Sequence, residues 1–165
     1  MTENLIIEMI RVNSADARRI AHALKVYGIA QCLAALENVP EETQRIVEAA
    51  AVLHDIAIRL CEQKHGSCAG PLQEREGPLV ARPLMARYTQ DEAFIDRVCW
   101  LIAHHHTLKD VDGIDHQILI EADLIVNAEE GDISRTAFEN LYEKFFHTAA
   151  GKEIADRTVR SIYES

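Results

Sequence analysis

The sequence contains no apolar run that could cross a membrane. A transmembrane helix needs about 18 or more consecutive apolar residues, and charged side chains interrupt every apolar stretch of this chain well before that length. The first residues, MTENLIIEMIRV, include two acidic side chains and lack the basic amino-terminal region that signal peptides carry. We therefore expect a cytoplasmic protein with no membrane partner.

Basic side chains are in deficit. The chain has 17 Lys and Arg against 27 Asp and Glu, which gives a formal net charge of -10. Nucleic-acid binding depends on clustered basic side chains that neutralise phosphates, so this deficit argues against a nucleic-acid polymer as partner. It does not exclude a small anionic substrate, because a bound divalent metal ion reverses the sign of the local field.

Paired cysteines and strand-like patterns are also missing. The four cysteines, at 32, 61, 68 and 99, form no C-x-x-C pair, and we interpret them as reduced thiols that mostly pack. Alternation of β-branched and polar residues is scarce, whereas apolar residues recur at intervals of three and four positions. Residues 1–165 therefore predict one all-α domain, a compact bundle of seven or eight helices.

Capping residues, prolines and glycines predict where the helices begin and end. Asn13 and Ser14 are predicted to cap a long second helix, and Pro40 to begin a third that continues through "VLHDIAIRLCEQ". Thr89 and Glu92 are predicted to form a capping box. Residues 64–77 are predicted to be a long loop at the mouth of a pocket, and the helices within 132–165 to be scaffold. The predicted helices cover about residues 3–12, 14–37, 40–63, 90–105, 115–130, 133–147 and 152–163, with a shorter one from Pro78 that Pro83 ends or kinks.

Several polar residues interrupt the apolar faces of these helices. His22, His54, His105 and Asp123 each lie in line with apolar residues of their own helix, and Asp55 directly follows His54. A buried imidazole or carboxylate without a partner is destabilising by several kcal/mol, so these groups need one another or a cation. A divalent ion held by imidazole nitrogens and carboxylate oxygens would satisfy them together, as in other helical bundles.

The order of these residues resembles the HD superfamily of metal-dependent phosphohydrolases, whose pattern is a His, a distant His-Asp pair and a later Asp. The matching stretches, "RIAHALKVYGIA", "AAAVLHDIAI" and "ILIEADLIVN", lie within residues 18–130. The resemblance implies an all-helical core that hydrolyses a small phosphorylated substrate, with a nucleotide as one example. Mn, Fe, Co, Ni, Zn or Mg would fit such ligands, and a homodimer is expected. The ligands that the resemblance implies for the first metal ion are His22, His54, Asp55 and Asp123.

The resemblance extends to a second set of candidates around "VCWLIAHHHTLKDVDG". Relatives with two metal ions take ligands from this region and from a His just before the glycine that matches Gly77, where this chain has Glu76. Among the three consecutive histidines, His105 best continues the row of apolar residues on its predicted helix, and His104 is the second candidate. We expect one of them to protonate the leaving oxygen while Asp55 accepts the proton of water. The candidates for a second metal ion or for substrate are His104, His105, His106, Glu74 and Glu76, and those for substrate phosphate are Arg59 and Lys64.

Three other interpretations stay open. Some proteins of HD-like fold carry two irons and perform oxygenation, although such a site needs more His ligands than this chain offers. A non-catalytic module that binds a metal ion or senses a nucleotide would need the same ligands. A helical bundle without any site would hold its histidines as satisfied core residues and would bind no metal ion.

Overall fold

The computed structural model describes residues 1–161, and all regular secondary structure in that range is helical, which confirms the all-α prediction. The predicted end of the last helix at 163 lies outside the described residues. No helix in the described range is long and apolar enough to span a bilayer. The helices are α1 (Thr2–Val12), α2 (Ala17–Leu36), α3 (Glu41–Leu53), α4 (Ile58–His65), α5 (Gly70–Met85), α6 (Glu92–Ile102), α7 (Gly113–Glu129), α8 (Arg135–Phe145) and α9 (Ala149–Ala155), followed by a π-helical segment (Asp156–Arg160).

Helices α3 and α7 form the centre of the bundle. Almost every residue of α7 between Asp115 and Val126 is buried, which is the pattern of a helix enclosed by others. Helix α3 presents the small side chains of residues 49–51, all fully buried, so that neighbouring helices can approach it closely. It packs against α1, α2, α6 and α7, and α7 packs in addition against α2, α8 and α9. The two central helices therefore hold the surrounding ones in place.

The buried apolar side chains form two clusters. The larger cluster joins α1, α2, α3, α5, α6 and α7. The smaller one attaches α8 and α9 to α7 and is built around Phe138 and Phe146, whose rings meet edge to face. All four cysteines are free thiols; Cys61 and Cys99 are buried, whereas Cys32 and Cys68 are exposed, so the prediction that the thiols mostly pack holds for two of the four.

Two predicted helix caps are wrong. The cap of α2 is Asp16 rather than Asn13 or Ser14, and its carboxylate accepts a hydrogen bond from the main-chain N of Arg19 at 3.1 Å. The cap of α6 is Asp91, whose carboxylate accepts from the main-chain N of Phe94. In both places an aspartate closer to the helix provides an anionic acceptor, which the positive end of the helix dipole favours.

The predicted third helix is interrupted at the His-Asp pair. Helix α3 ends at Leu53, residues 54–57 form a turn, and α4 begins at Ile58. The turn is closed by hydrogen bonds from the main-chain N of Ile56 to Leu53 O and from Ile58 N to Asp55 O. Neighbouring residues of a continuous helix diverge by about 100°, and this interruption allows both side chains of the pair to face one point.

The predicted loop over residues 64–77 is mostly helix. Gly66, with a φ of 66°, ends α4 in the left-handed conformation, and α5 begins only four residues later. Pro78 lies inside α5 rather than at its start, and Pro83 does not end it, because the helix continues to Met85. Each proline removes one helical hydrogen bond, but burial of residues such as Ala81 and Met85 holds the helix against the core.

Candidate metal centre

Imidazole and carboxylate groups from separate helices converge in the interior. His22 lies in α2, His54 is the first residue after α3, and Asp123 lies in α7. The Nε2 atoms of the two imidazoles are 3.3 Å apart, and Asp123 Oδ1 lies 3.3 Å from one and 3.5 Å from the other. All three residues are buried, so the structure brings together three of the four predicted ligands of a first metal ion.

Asp55 joins this cluster to a second one. Its Oδ2 lies 3.4 Å from His54 Nε2 and 3.7 Å from His22 Nε2, whereas its Oδ1 lies 3.5 Å from His105 Nε2. Asp55, His105 and His106 offer ligand atoms that lie within 4.8 Å of one another. The carboxylate of Asp55 is therefore placed between two groups of candidate ligands.

The orientation of three imidazole rings is fixed by what their Nδ1 atoms contact. His54 Nδ1 bonds to Ala51 O at 2.8 Å, and His105 Nδ1 bonds to Ile102 O at 2.7 Å. Because a carbonyl oxygen only accepts, both Nδ1 atoms carry the hydrogen, and each neutral ring presents a lone pair at Nε2. His22 Nδ1 likewise donates to Glu130 Oε2 at 2.9 Å. Such bonds to the far side of the ring are typical of metal-binding histidines.

The charges of the cluster favour a bound cation. Burial alone would lower the pKa of His54, but the carboxylates of Asp55 and Asp123 raise it well above its usual value. Burial likewise would raise the pKa of Asp123, but hydrogen bonds to His22 and His54 lower it. The lone pairs of two Nε2 atoms repel one another at 3.3 Å unless a proton or a metal ion lies between them.

The residues fit a divalent metal ion. His105 Nε2 is buried and has no hydrogen-bond partner among residues 1–161. Such an orphaned nitrogen is destabilising unless something outside the protein binds it. Ligand atoms that share one ion at about 2.1 Å lie roughly 3.0 to 3.4 Å apart, close to the separations found here. Nitrogen and carboxylate oxygen ligands suit several divalent transition metals.

Comparison with known proteins agrees with this geometry. The family model described as HD domain matches residues 19–128, a range that includes both candidate clusters. The chain belongs to the HD domain family. Its structure is similar to that of a predicted HD superfamily hydrolase from an uncultured Thermotogales bacterium, with a TM-score of 0.69, 23% sequence identity, and coverage of 99% of this chain and 86% of that one. None of the curated proteins matches the chain.

The family match indicates the general chemistry of this HD domain but not its substrate. HD domains bind divalent metal ions and form a superfamily of metal-dependent hydrolases. The His and Asp cluster described above could hold such an ion. The similar structure supports the fold.

Three other candidates from the sequence do not contribute ligand atoms to the two clusters. His104 stacks on Trp100 with 4.1 Å between ring centroids, and its Nδ1 donates to Trp100 O. Glu74 Oε1 accepts hydrogen bonds from His106 N and Thr107 Oγ1. Glu76 is buried and pairs with Lys64, His65 and Arg75. The structure therefore places basic side chains around the Glu76 carboxylate, and the role of Glu76 in place of the missing His beside Gly77 stays a prediction.

The two predicted phosphate-binding residues also lie outside the clusters. Arg59 donates to the carbonyl oxygens of Val12 and Ser14 in the loop between α1 and α2. Lys64 is engaged by Glu76, as described above. Neither residue lines the cleft over the ligand clusters, so the geometry gives no support to their predicted role.

A cleft of about 390 Å³ opens over the ligand clusters and includes residues that the sequence did not single out. Arg18 and Arg19 line it, paired with Asp132 and Glu62 respectively. Asn127, one helical turn after Asp123, donates to Asp123 Oδ1 at 2.8 Å. An amide four residues after a predicted ligand on the same helix face is a signal that the sequence does contain.

The turn that carries His105 and His106 is held from two sides. His116 is buried; its Nδ1 accepts from Asp112 N, and its Nε2 therefore donates to His104 O at 3.0 Å. On the other side, Glu74 accepts from His106 N, and a Cβ added at Gly70 would lie 3.0 Å from the His106 ring. These contacts from α7 and α5 keep the two imidazoles close to Asp55.

Proposed function

We propose that this HD domain hydrolyses the phosphate ester of a small substrate with a bound divalent metal ion. The observation that carries the proposal is the convergence of three imidazole Nε2 atoms on the carboxylates of Asp55 and Asp123 below an open cleft. When bound, such an ion withdraws charge from a phosphoryl oxygen and lowers the pKa of water. A first ion would be held by His22, His54, Asp55 and Asp123, and a second by Asp55, His105 and His106.

The side chains of the cleft bind and orient the substrate in this proposal. Arg18 and Arg19 lie on its wall, and the guanidinium N–H groups that their acidic partners leave unused are donors to an anionic substrate group. They take the role that was predicted for Arg59 and Lys64. Asp55, which also lines the cleft, accepts the proton of the attacking water when only the first ion is bound, because one of its two carboxylate oxygens then stays free.

The proposal is tested on protein purified without a histidine tag. Elemental analysis should find a divalent metal in stoichiometric amount, and the protein should release phosphate from p-nitrophenyl phosphate. A chelator should stop the release, and added metal should restore it. His54→Ala should lose the activity, whereas His147→Ala, which changes an exposed imidazole on another part of the surface, should keep it.

The same samples separate the alternatives. Unchanged phosphate release by a folded His54→Ala protein would refute the proposal. Stoichiometric metal without turnover of any ester would favour the non-catalytic module. Bound iron with a visible absorption band and consumption of oxygen would favour the oxygenase, and absence of bound metal would favour the bundle without a site.

A further inference from the structure

We propose that the substrate is a phosphomonoester whose leaving group carries a hydroxyl and no aromatic ring, as in a polyol or sugar phosphate, and that Gln73 recognises this hydroxyl. The inference rests on the proposed hydrolase function and deepens it. It starts from an amide oxygen in the cleft wall that has no hydrogen-bond partner among the described residues.

Gln73 lies near the start of α5 and lines the cleft together with Cys68 and His106. It is 7% exposed, and its Nε2 donates to the main-chain oxygen of Cys68 at 2.7 Å. Exchanging the two ends of the amide would place two acceptor oxygens at that distance, so the hydrogen bond fixes which end is the oxygen. The amide oxygen therefore points away from Cys68.

That oxygen, Oε1, is buried and has no hydrogen-bond partner in the described part of the chain. A buried acceptor without a donor is destabilising, and such groups in native proteins call for an explanation. A ligand with a donor would satisfy it. We assign a hydroxyl to this oxygen, because a hydroxyl donates a hydrogen bond to a neutral acceptor without burying a charge.

The other residues around the cleft describe the rest of the substrate. Among the described residues that line it, none is Phe, Tyr or Trp, and its two imidazoles, His22 and His106, are assigned above to metal ions. A nucleobase would therefore find no free aromatic side chain to stack on. Asn127 adds a second amide to the wall, and Ile58 is the one aliphatic side chain longer than Cys in that set. At about 390 Å³ the cleft is at the small end of ligand pockets. A compact polar leaving group fits these properties.

The experiment compares esters that differ in defined groups of the leaving alcohol, using the metal-loaded full chain. The paired substrates are glycerol 1-phosphate and propyl phosphate, which lacks the hydroxyls. Ethanolamine phosphate tests an ammonium group, AMP tests a nucleobase, and p-nitrophenyl phosphate reports basal hydrolysis. The variants are Gln73→Met, which keeps the length of the side chain without its amide, and Gln63→Met, which changes an exposed glutamine outside this cleft as a matched control.

We expect kcat/KM for glycerol 1-phosphate to exceed that for propyl phosphate about tenfold in the unaltered protein, the value of one good hydrogen bond. Gln73→Met should bring this ratio close to one, and Gln63→Met should leave it unchanged. An unaltered ratio in Gln73→Met, a ratio near one in the unaltered protein, or a preference for AMP or ethanolamine phosphate would overturn the inference. If Gln73→Met does not fold, the comparison of substrates on the unaltered protein still tests the substrate class, and Gln73→Leu, a second variant without the amide, tests the role of Gln73.

The inference and the proposed function fail in different ways. Hydrolysis of p-nitrophenyl phosphate without discrimination between the paired substrates would overturn only the role of Gln73 and the substrate class. Absence of hydrolysis of every ester would overturn the proposed function itself, and the inference with it.

Discussion

Replacing Glu121 by Gln should destabilise the fold while leaving the metal centre intact. Glu121 is fully buried in α7, two residues before Asp123. Its Oε1 accepts hydrogen bonds from Gln117 Nε2, His147 N and Thr148 N at 2.7, 2.7 and 2.9 Å, and its Oε2 accepts from Thr148 Oγ1. One carboxylate thus holds the segment between α8 and α9 against α7.

The size of the effect follows from these four bonds. A hydrogen bond to a charged group contributes about 1.5–3 kcal/mol and a neutral one about 0.5–1.5 kcal/mol, so each bond to Oε1 should weaken by about 1 kcal/mol. The amide nitrogen of Gln cannot accept from Thr148 Oγ1, and that hydroxyl must turn. Part of the loss is offset because a buried charge is removed. We expect the free energy of unfolding to fall by about 2–3 kcal/mol, and Tm by roughly 4–12 °C.

Thermal and urea denaturation of the metal-free protein measure this change, and a metal titration of the same samples measures the ligand clusters. Glu143→Gln, a change at an exposed glutamate of α8, is the matched control and should leave both stability and metal binding nearly unchanged. The reasoning would be refuted if Glu121→Gln were as stable as the unaltered protein. It would also be refuted if that variant lost its metal at unchanged stability.

Three further predictions concern single contacts. Glu130→Ala removes the group that orients His22 and should weaken metal binding by about 10- to 100-fold. Glu129→Ala, the control, should have little effect on metal binding. Equal metal affinity of the two variants in a titration would contradict this prediction. Basic partners, with His65 the strongest, lower the pKa of Glu76 from 4.5 to about 2. Its contribution to stability is therefore complete above pH 4.5 and lost as pH falls towards 2, and Glu76→Gln should flatten the decline of urea-derived stability in that window. Gly77→Ala places a Cβ 2.5 Å from Ile102 Cγ2 and should be destabilising by about 1–3 kcal/mol; an unchanged Tm would show that the two helices can move apart.

Much of the candidate site could be predicted because polar residues on apolar helix faces are conspicuous. His22, His54 and Asp123 each break a stripe of aliphatic residues, and the structure brings their ligand atoms within 4.8 Å of one another. The stripe argument needs only helical periodicity, which local sequence specifies well. Their role as metal ligands stays a prediction until an ion is measured.

Residues beyond a helix end could not be placed in this way. The predicted row of apolar residues on α6 continued to position 105, but the helix ends at Ile102 and a turn follows. Periodicity has no meaning in a turn, so the sequence favoured His104 over His106, whereas His106 is the one that joins His105 at Asp55. Glu130 was also hidden, because an acid at a helix C-terminus looks merely unfavourable until its partner, 108 positions earlier, is known.

The carbonyl oxygens that orient His54 and His105 belong to Ala51 and Ile102, at the ends of α3 and α6. Every α-helix leaves its last four carbonyls without internal partners, so the anchor is a property of the backbone and not of those two side chains. Substitutions at either position can proceed without rotating the ring that depends on it. An engineer grafting such a centre onto another bundle would need to transplant the histidines, the aspartates and Glu130. The residues at positions 51 and 102 could change, because main-chain carbonyls at the helix ends select the tautomer of His54 and His105.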